Sequence, residues 1–393
     1  MTKQALIAGG GIGGLAAALA VARAGWVVRL YERAPLFSEV GAGIQLGPNV
    51  VKVLHGWGLA GALADVAAFP HQLEVRSALS GESLARLPLG EAMVQRYGAA
   101  YATVHRADLH GLLLNAVQQA DVSLKLNHTL SQFTQTADAV TVQTADGAVI
   151  EGDVLVGADG LWSPVRQWLL GDGQPRATSH LAYRALVRQA DLPEALRSSQ
   201  VTAWLGPQLH VVQYPVRGGD WLNVVGIVEG KSGDALDGWD HGTDAAGLRA
   251  ALAGTCSPLQ DLVHAINHWR LWALCDRPPM QGAHQQALGR VALLGDAAHP
   301  MLPYLAQGAG MAIEDAAELG RVLVQALDPA LDVPTMLNRY ALNRWERNAR
   351  VQARAIRNGE IFHADGVVRW GRDASLKLLG ERLLDVPWLY GGP

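Results

Sequence analysis

The stretch "ALIAGGGIGGLAAALAVARAG", residues 5–25, decides how the rest of the chain is read. Its eighteen residues from Ala5 to Ala22 carry no charge, a length close to that of a membrane-spanning helix. Yet glycine fills all but one of the positions from Gly9 to Gly14, and each glycine weakens a helix interior by about 1 kcal/mol relative to alanine. A secretory leader wants a basic start and a small-residue cleavage site, whereas this run passes into the strand-like "WVVRLYER", 26–33. The better reading is strand, tight turn, helix, second strand. Gly9, Gly11 and Gly14 form GxGxxG: a glycine for the turn, one for close approach to a pyrophosphate, one for helix–strand packing. The helix N-terminus faces the phosphates, and Glu32, eighteen residues past Gly14, is placed for a ribose hydroxyl. The stretch is neither anchor nor leader but a dinucleotide site, FAD and NAD(P) being undistinguished at this point.

Composition agrees with a globular chain of one large or two ordinary domains. The 393 residues are 49% hydrophobic and 17% charged, with a net charge of −4. That charge supplies no field for nucleic acid or an anionic membrane. The two cysteines, Cys256 and Cys275, make no disulfide framework and no metal-ligand spacing, so a reducing cytoplasm and no metal are expected.

Two further strand ends carry carboxylates. "DVLVGADGLWSPVR", 153–166, is an apolar strand ending in Asp159, followed by a helix that carries Arg166. "RVALLGDAAHP", 290–300, repeats the pattern and ends in Asp296. Ligands of α/β sheets bind at such strand ends, although each Asp could equally cap its own turn. Between them, residues 180–275 read as strands, among them "LAYRALVRQ", "LHVVQYPV" and "WLNVVGIVEG", the last two joined by a turn at "RGGD", 217–220. "QGAGMAIED", 307–315, reads as a loop entering a helix near Met311, whose N–H groups and partial positive charge suit a ligand edge that gains negative charge. The Arg-rich stretch 338–360 has helical spacing and reads as a solvated helix face or a dimer contact.

With GxGxxG, "GADG" and "GDAAHP" in this order and spacing, the chain resembles the single-component FAD-dependent aromatic hydroxylases over essentially its whole length, and most of all their hydroxybenzoate, salicylate and hydroxynicotinate branches. The resemblance implies an α/β, Rossmann-like FAD-binding fold with an inserted β-sheet substrate domain and a helical C-terminal region. The expected FAD-binding domain is 1–75, 100–180 and 278–335, the substrate domain 76–99 and 181–277, and the helical region 336–393. It implies FAD as cofactor, NADH or NADPH as transient reductant, and hydroxylation of a phenolic aromatic acid by O2 through a C4a-hydroperoxyflavin. A homodimer is expected by analogy.

The resemblance also distributes roles. Gly9, Gly11, Gly13 and Gly14 would hold the pyrophosphate, and Glu32, with Arg33 beside it, the adenosine ribose. Leu130 would offer backbone to the adenine, and Arg106 would lie near the phosphates or ribityl chain. Asp159 would sit near the pyrophosphate and Asp296 on the ribityl chain. Gly43, Pro300, Gly308, Gly310 and Met311 would approach the flavin. In "LHVVQYPV" His210, Val212 and Tyr214 share one face of a strand, which is odd for pure core. His210 falls on the active-site His of the hydroxybenzoate and hydroxynicotinate enzymes, as base or phenol partner, and Tyr214 on a nearby Tyr. Tyr304 and Gln45 are further candidates: the hydroxynicotinate enzyme has His at both positions, whereas the 3-hydroxybenzoate enzyme has Tyr at Tyr304 and Gln where this chain has Pro303. Arg184 could meet a substrate carboxylate, or could pair with a structural acid. An FAD oxidase or dehydrogenase working without NAD(P)H, or a non-enzymatic flavin protein, would fit these motifs less well.

Overall fold

A computed structural model describes residues 3–37, 42–230, 241–243, 245–324 and 331–393; Gly41 of the "GAGIQ" loop and 231–240 of the strand-rich region lie outside them. In chain order the elements that place the site are β1 (Gln4–Ala8), α1 (Ile12–Arg23), β2 (Val27–Tyr31), β3 (Gly43–Leu46), β4 (Val154–Gly157), α2 (Pro164–Leu170), β5 (Arg176–Arg188), β6 (Leu209–Val216), β7 (Trp221–Glu229), β8 (Val291–Leu293), α3 (Gly308–Leu323) and α4 (Val333–Phe362). The chain forms two compact units: residues 1–40, 107–176 and 276–355, and residues 41–106, 177–275 and 356–393. Residues 41–75 thus belong to the second unit, and α4 up to Ala355 to the first.

The first unit is built on a sheet in the order Ala287–Leu288, β8, β4, β1, β2, Ser123–Lys125. All its pairings are parallel except that of the two-residue edge strand. β1, β4 and β8 are almost wholly buried, and they read as continuous apolar runs rather than alternating ones. The opening stretch folds as its glycines require. Gly9 has φ +102°, and a side chain there would strike the Ala158 carbonyl. A side chain on Gly14 would strike the carbonyl of Gly9, so α1 can cross β1 this closely only with glycine there. The fold class is the α/β type expected from the motifs, with the glycine turn between β1 and α1 of a parallel sheet.

The second unit contains an eight-stranded sheet ordered His241–Thr243, Trp269–Asp276, β5, β7, β6, Val201–Gly206, Gln72–Ser77, Ser83–Pro88. β5, β7 and β6 are antiparallel neighbours, and the "RGGD" segment turns between β6 and β7 with positive φ at Arg217, Gly218 and Gly219. One face of these strands, including Tyr183, Ala185, Val211, Leu222 and Val224, closes an apolar core with Leu248, Leu259 and Leu262. No helix among the described residues is long and apolar enough to cross a membrane.

Candidate active site

In the first unit, a cleft of about 290 Å³ opens at the C-terminal ends of β1, β2 and β4. Gly9, Gly11, Glu32, Arg33, Leu130 and Asp159 all line it, six positions that the sequence assigned to one nucleotide. α1 begins there with Gly11 as its N-cap, with no side-chain cap and no acid in its first turn. Its first N–H groups are therefore left for an anion. Glu32 accepts hydrogen bonds from Gly10 N–H at 2.7 Å and Ala34 N–H at 2.8 Å, which fixes its carboxylate at the rim. His110 Nε2 meets the Gly10 carbonyl at 2.8 Å and pins the turn from behind. Gly13 does not line the cleft; a side chain there would press on Leu294 at 2.8 Å, so its role is packing.

Asp159 does what the plainer reading allowed. It accepts from the Ser163 hydroxyl and from Val165 N–H at 3.1 Å, capping α2 while still lining the cleft. Burial pushes its carboxyl up to about 6, against the opposing pull of Ser163 and the Val165 amide. Asp296 is the opposite case. It is exposed in the turn after β8 and has no hydrogen-bond partner among the described residues, so it caps nothing.

The loop that carries Asp296, Pro300 and Tyr304 is held by groups the sequence reading did not single out. Arg166 is buried; it donates to the Ala297 carbonyl at 3.1 Å and to that of Ala298, with Asp172 pairing its other side at 2.6 Å. His299 meets Asp315 Oδ2 at 2.5 Å, and Gln352 donates to the Pro300 carbonyl at 3.0 Å. α3 starts at Gly308, three residues before the expected position. Met311 N–H already bonds the Gln307 carbonyl at 2.8 Å, which corrects the expected donor set to Gly308, Ala309 and Gly310. In the Arg-rich stretch Arg339, Arg350 and Arg357 are exposed as expected, and Arg344 is the exception. Arg344 is fully buried and pairs with Glu314 and Asp315, because i, i+4 spacing turns Tyr340, Arg344 and Asn348 inward together.

In the second unit, sheet register gathers the remaining candidates. Arg184 on β5 faces Val225 on β7, which faces Val212 on β6; Tyr214 pairs with Asn223, and His210 with Ile227. Side chains alternate along strands, so His180, Arg184, His210, Tyr214, Asn223 and Glu229 share the face opposite the apolar core. Tyr214, His210 and Asn223 are buried on it. Asn223 Oδ1 accepts from Gly43 N–H at 2.6 Å, and Gln45 accepts from the Tyr101 hydroxyl at 2.8 Å, so β3 is tied to this unit. Arg106 N–H bonds the Ala42 carbonyl at 3.0 Å just beyond.

Two features of this face stand out chemically. Burial lowers the Arg184 guanidinium and raises the Tyr214 hydroxyl from their ordinary values, so Tyr214 is a neutral donor. Arg184 lies 5.1 Å above the Trp272 ring, its Nε is buried without a hydrogen-bond partner, and no carboxylate pairs with it among the described residues. His210 is packed against Phe362 and hydrogen-bonded through Nδ1 to His363 Nε2 at 2.8 Å. Asn223 had a faint sequence signal as a lone amide in an apolar strand. His363 had none, since it lies 153 residues from its partner.

A model of the family described as "FAD binding domain" matches residues 2–355. The chain is 39% identical to 3-hydroxybenzoate 6-hydroxylase of Polaromonas naphthalenivorans, over 98% of this chain and 95% of that one. It is 39% identical to 6-hydroxynicotinate 3-monooxygenase of Bordetella bronchiseptica, over 88% of each. Among solved structures it superposes on Klebsiella pneumoniae HpxO complexed with FAD and uric acid, with TM-score 0.85, 28% identity, and 97% and 94% of the two chains covered. It superposes on a salicylate hydroxylase substrate complex with TM-score 0.84, 27% identity, and 99% and 95% covered.

Proposed function

The chain belongs to the FAD binding domain family as an aromatic hydroxylase, and on that premise we propose that it adds a hydroxyl group to a phenolic aromatic acid, with NAD(P)H as reductant and O2 as oxygen source. The residues fit the cofactor. The uncapped start of α1, the rim carboxylate of Glu32 and the unpartnered Asp296 provide donors for phosphate and acceptors for sugar hydroxyls. Bound FAD supplies the redox chemistry and the activated oxygen.

The protein's own groups bind and poise the ring. The observation that carries the acid specificity is Arg184, a desolvated guanidinium with no carboxylate paired to it among the described residues. A substrate carboxylate supplies that anion at low desolvation cost, since the arginine is already out of water. Tyr214, kept neutral by burial, donates a hydrogen bond on the same face. Burial and the neighbouring His363 and His180 hold His210 uncharged, so an unprotonated ring nitrogen is there to take a phenol's hydrogen bond and, where the proton is passed on, the proton itself. A phenolate ring is the better target for an electrophilic oxygen.

The test is NADH oxidation by the FAD-loaded protein in air, with 3-hydroxybenzoate, salicylate, 4-hydroxybenzoate and 6-hydroxynicotinate added singly. Stimulation by one acid with a hydroxylated product is expected. Equal oxidation with and without every acid, using NADH or NADPH, would sink the reading. His210→Ala should abolish most hydroxylation while FAD stays bound.

A further inference from the structure

The polar face of the second unit ends in a cluster of Glu229, His363 and His210, with His180 beside the first two. Glu229 closes β7, and its Oε1 lies 3.4 Å from His363 Nδ1, at ion-pair distance but outside hydrogen-bond geometry; His363 Nε2 lies 2.8 Å from His210 Nδ1. The histidines are buried, while the Glu229 side chain is 39% exposed. His363 sits just past the end of α4, where several bonds hold it. Its carbonyl accepts from Gln208 N–H at 2.9 Å, and the Gln208 carbonyl accepts from Glu229 N–H at 2.9 Å. Arg372 donates to the carbonyls of Ile361 and Phe362 at 3.1 and 2.7 Å.

Burial, with His180 and Arg372 nearby, pushes His363 down to about 3, and His210 is likewise lowered by burial and its histidine neighbours. Both rings are therefore neutral near pH 7, and one proton occupies the bond between them. It can be arranged two ways. With the proton on His363 Nε2, His363 Nδ1 turns a lone pair toward the Glu229 carboxylate, which repels it. With the proton on His210 Nδ1, His363 carries its own on Nδ1, facing the carboxylate. The second arrangement is favoured by simple electrostatics, and the low dielectric of the site strengthens the preference.

We propose that Glu229 and His363 are positioning residues that hold His210 in the Nδ1–H tautomer, leaving Nε2 as the proton acceptor, and that the three form a proton route to solvent. The step balances without a co-reactant. The substrate O–H bond breaks and an Nε2–H bond forms on His210; the Nδ1 proton of His210 passes to His363 Nε2; the Nδ1 proton of His363 passes to Glu229 once that half-exposed carboxylate turns into hydrogen-bond geometry, and from there to water. The proposal rests on the reading of His210 as the base, and its test keeps the two separable.

Selectively 15N-histidine-labelled, FAD-loaded protein would be examined by long-range proton–nitrogen correlation, with His210→Gln and His363→Gln giving the assignments. The expected result is a protonated Nδ1 and a pyridine-type Nε2 on His210, with Glu229→Ala shifting the population toward the Nε2–H form. Glu229→Asp should restore the Nδ1–H form. Hydroxylation of the accepted acid should fall by about tenfold in Glu229→Ala with FAD content unchanged, part of the span a general base contributes. A wild-type His210 protonated on Nε2, or a tautomer indifferent to Glu229→Ala, overturns the proposal. If the tautomer responds as expected but His210→Gln hydroxylates normally, the base assignment falls and the tautomer control stands.

Discussion

Gly43 donates its N–H to Oδ1 of Asn223 at 2.6 Å, and a Cβ on Gly43 would come within 2.9 Å of the Asn223 side chain and 2.5 Å of the Tyr214 ring. The glycine is thus a packing requirement of the polar face itself. Gly43→Ala must displace Tyr214 or Asn223, at a cost typical of overpacking, about 1–3 kcal/mol. Thermal melting should show that loss, and KM for the aromatic acid should rise because Tyr214 moves; an unchanged KM would detach Tyr214 from substrate binding.

Arg184 separates acids from neutral rings. A charge-assisted hydrogen bond contributes about 1.5–3 kcal/mol, so Arg184→Ala should raise KM for the accepted acid by roughly 10- to 100-fold. The KM of the corresponding carboxamide should hardly change. Equal effects on acid and amide would assign Arg184 a purely structural role.

Asp159 predicts an unusual pH dependence. Its folded pKa of about 6 lies above the ordinary 3.8, so between those values the native state binds the proton better than the unfolded state does. Stability from this group is therefore greatest at low pH and falls as pH rises through that window, by on the order of 3 kcal/mol. Denaturation of FAD-free protein should show Asp159→Asn gaining on the wild type at about pH 7 relative to about pH 4.5. A constant difference across that range would contradict the assignment.

Asp315 titrates the other way. Burial alone would raise its carboxyl, but His299 and Arg344 outweigh it and hold the value well below the usual range. Its stabilising contribution is present above the ordinary 3.8 and is lost only as pH falls toward the depressed value. Arg344→Met leaves Asp315 and Glu314 buried without that guanidinium, and should lower stability by about 3–5 kcal/mol in denaturant titration. It should also weaken FAD retention, because Asp315 accepts from His299 and from Gly295 N–H at 3.2 Å and so fixes the loop that carries Asp296. Intact retention would mean that Arg166 alone suffices to hold that loop.

The glycine turn and its cleft in the first unit were legible in the sequence because their physics is local. A strand, a glycine turn and a helix start lie within a dozen residues, and only glycine can take φ +102° at Gly9 or let Gly14 touch the Gly9 carbonyl. The same holds for Glu32, whose distance from the turn is fixed by one helix and one strand. Period-two alternation likewise puts His210 and Tyr214 on one face of a strand. What the tertiary structure decided is everything that depends on partners distant in sequence. Register between β5, β6 and β7 set Arg184 and Asn223 on the His210 face; burial of α4 turned Arg344 from a solvated cation into the clamp on Asp315; and the chain's return past residue 360 brought His363 to His210. Sequence spacing carries the local backbone rules, but pairings across a hundred residues are selected by packing of whole elements, which no short motif encodes.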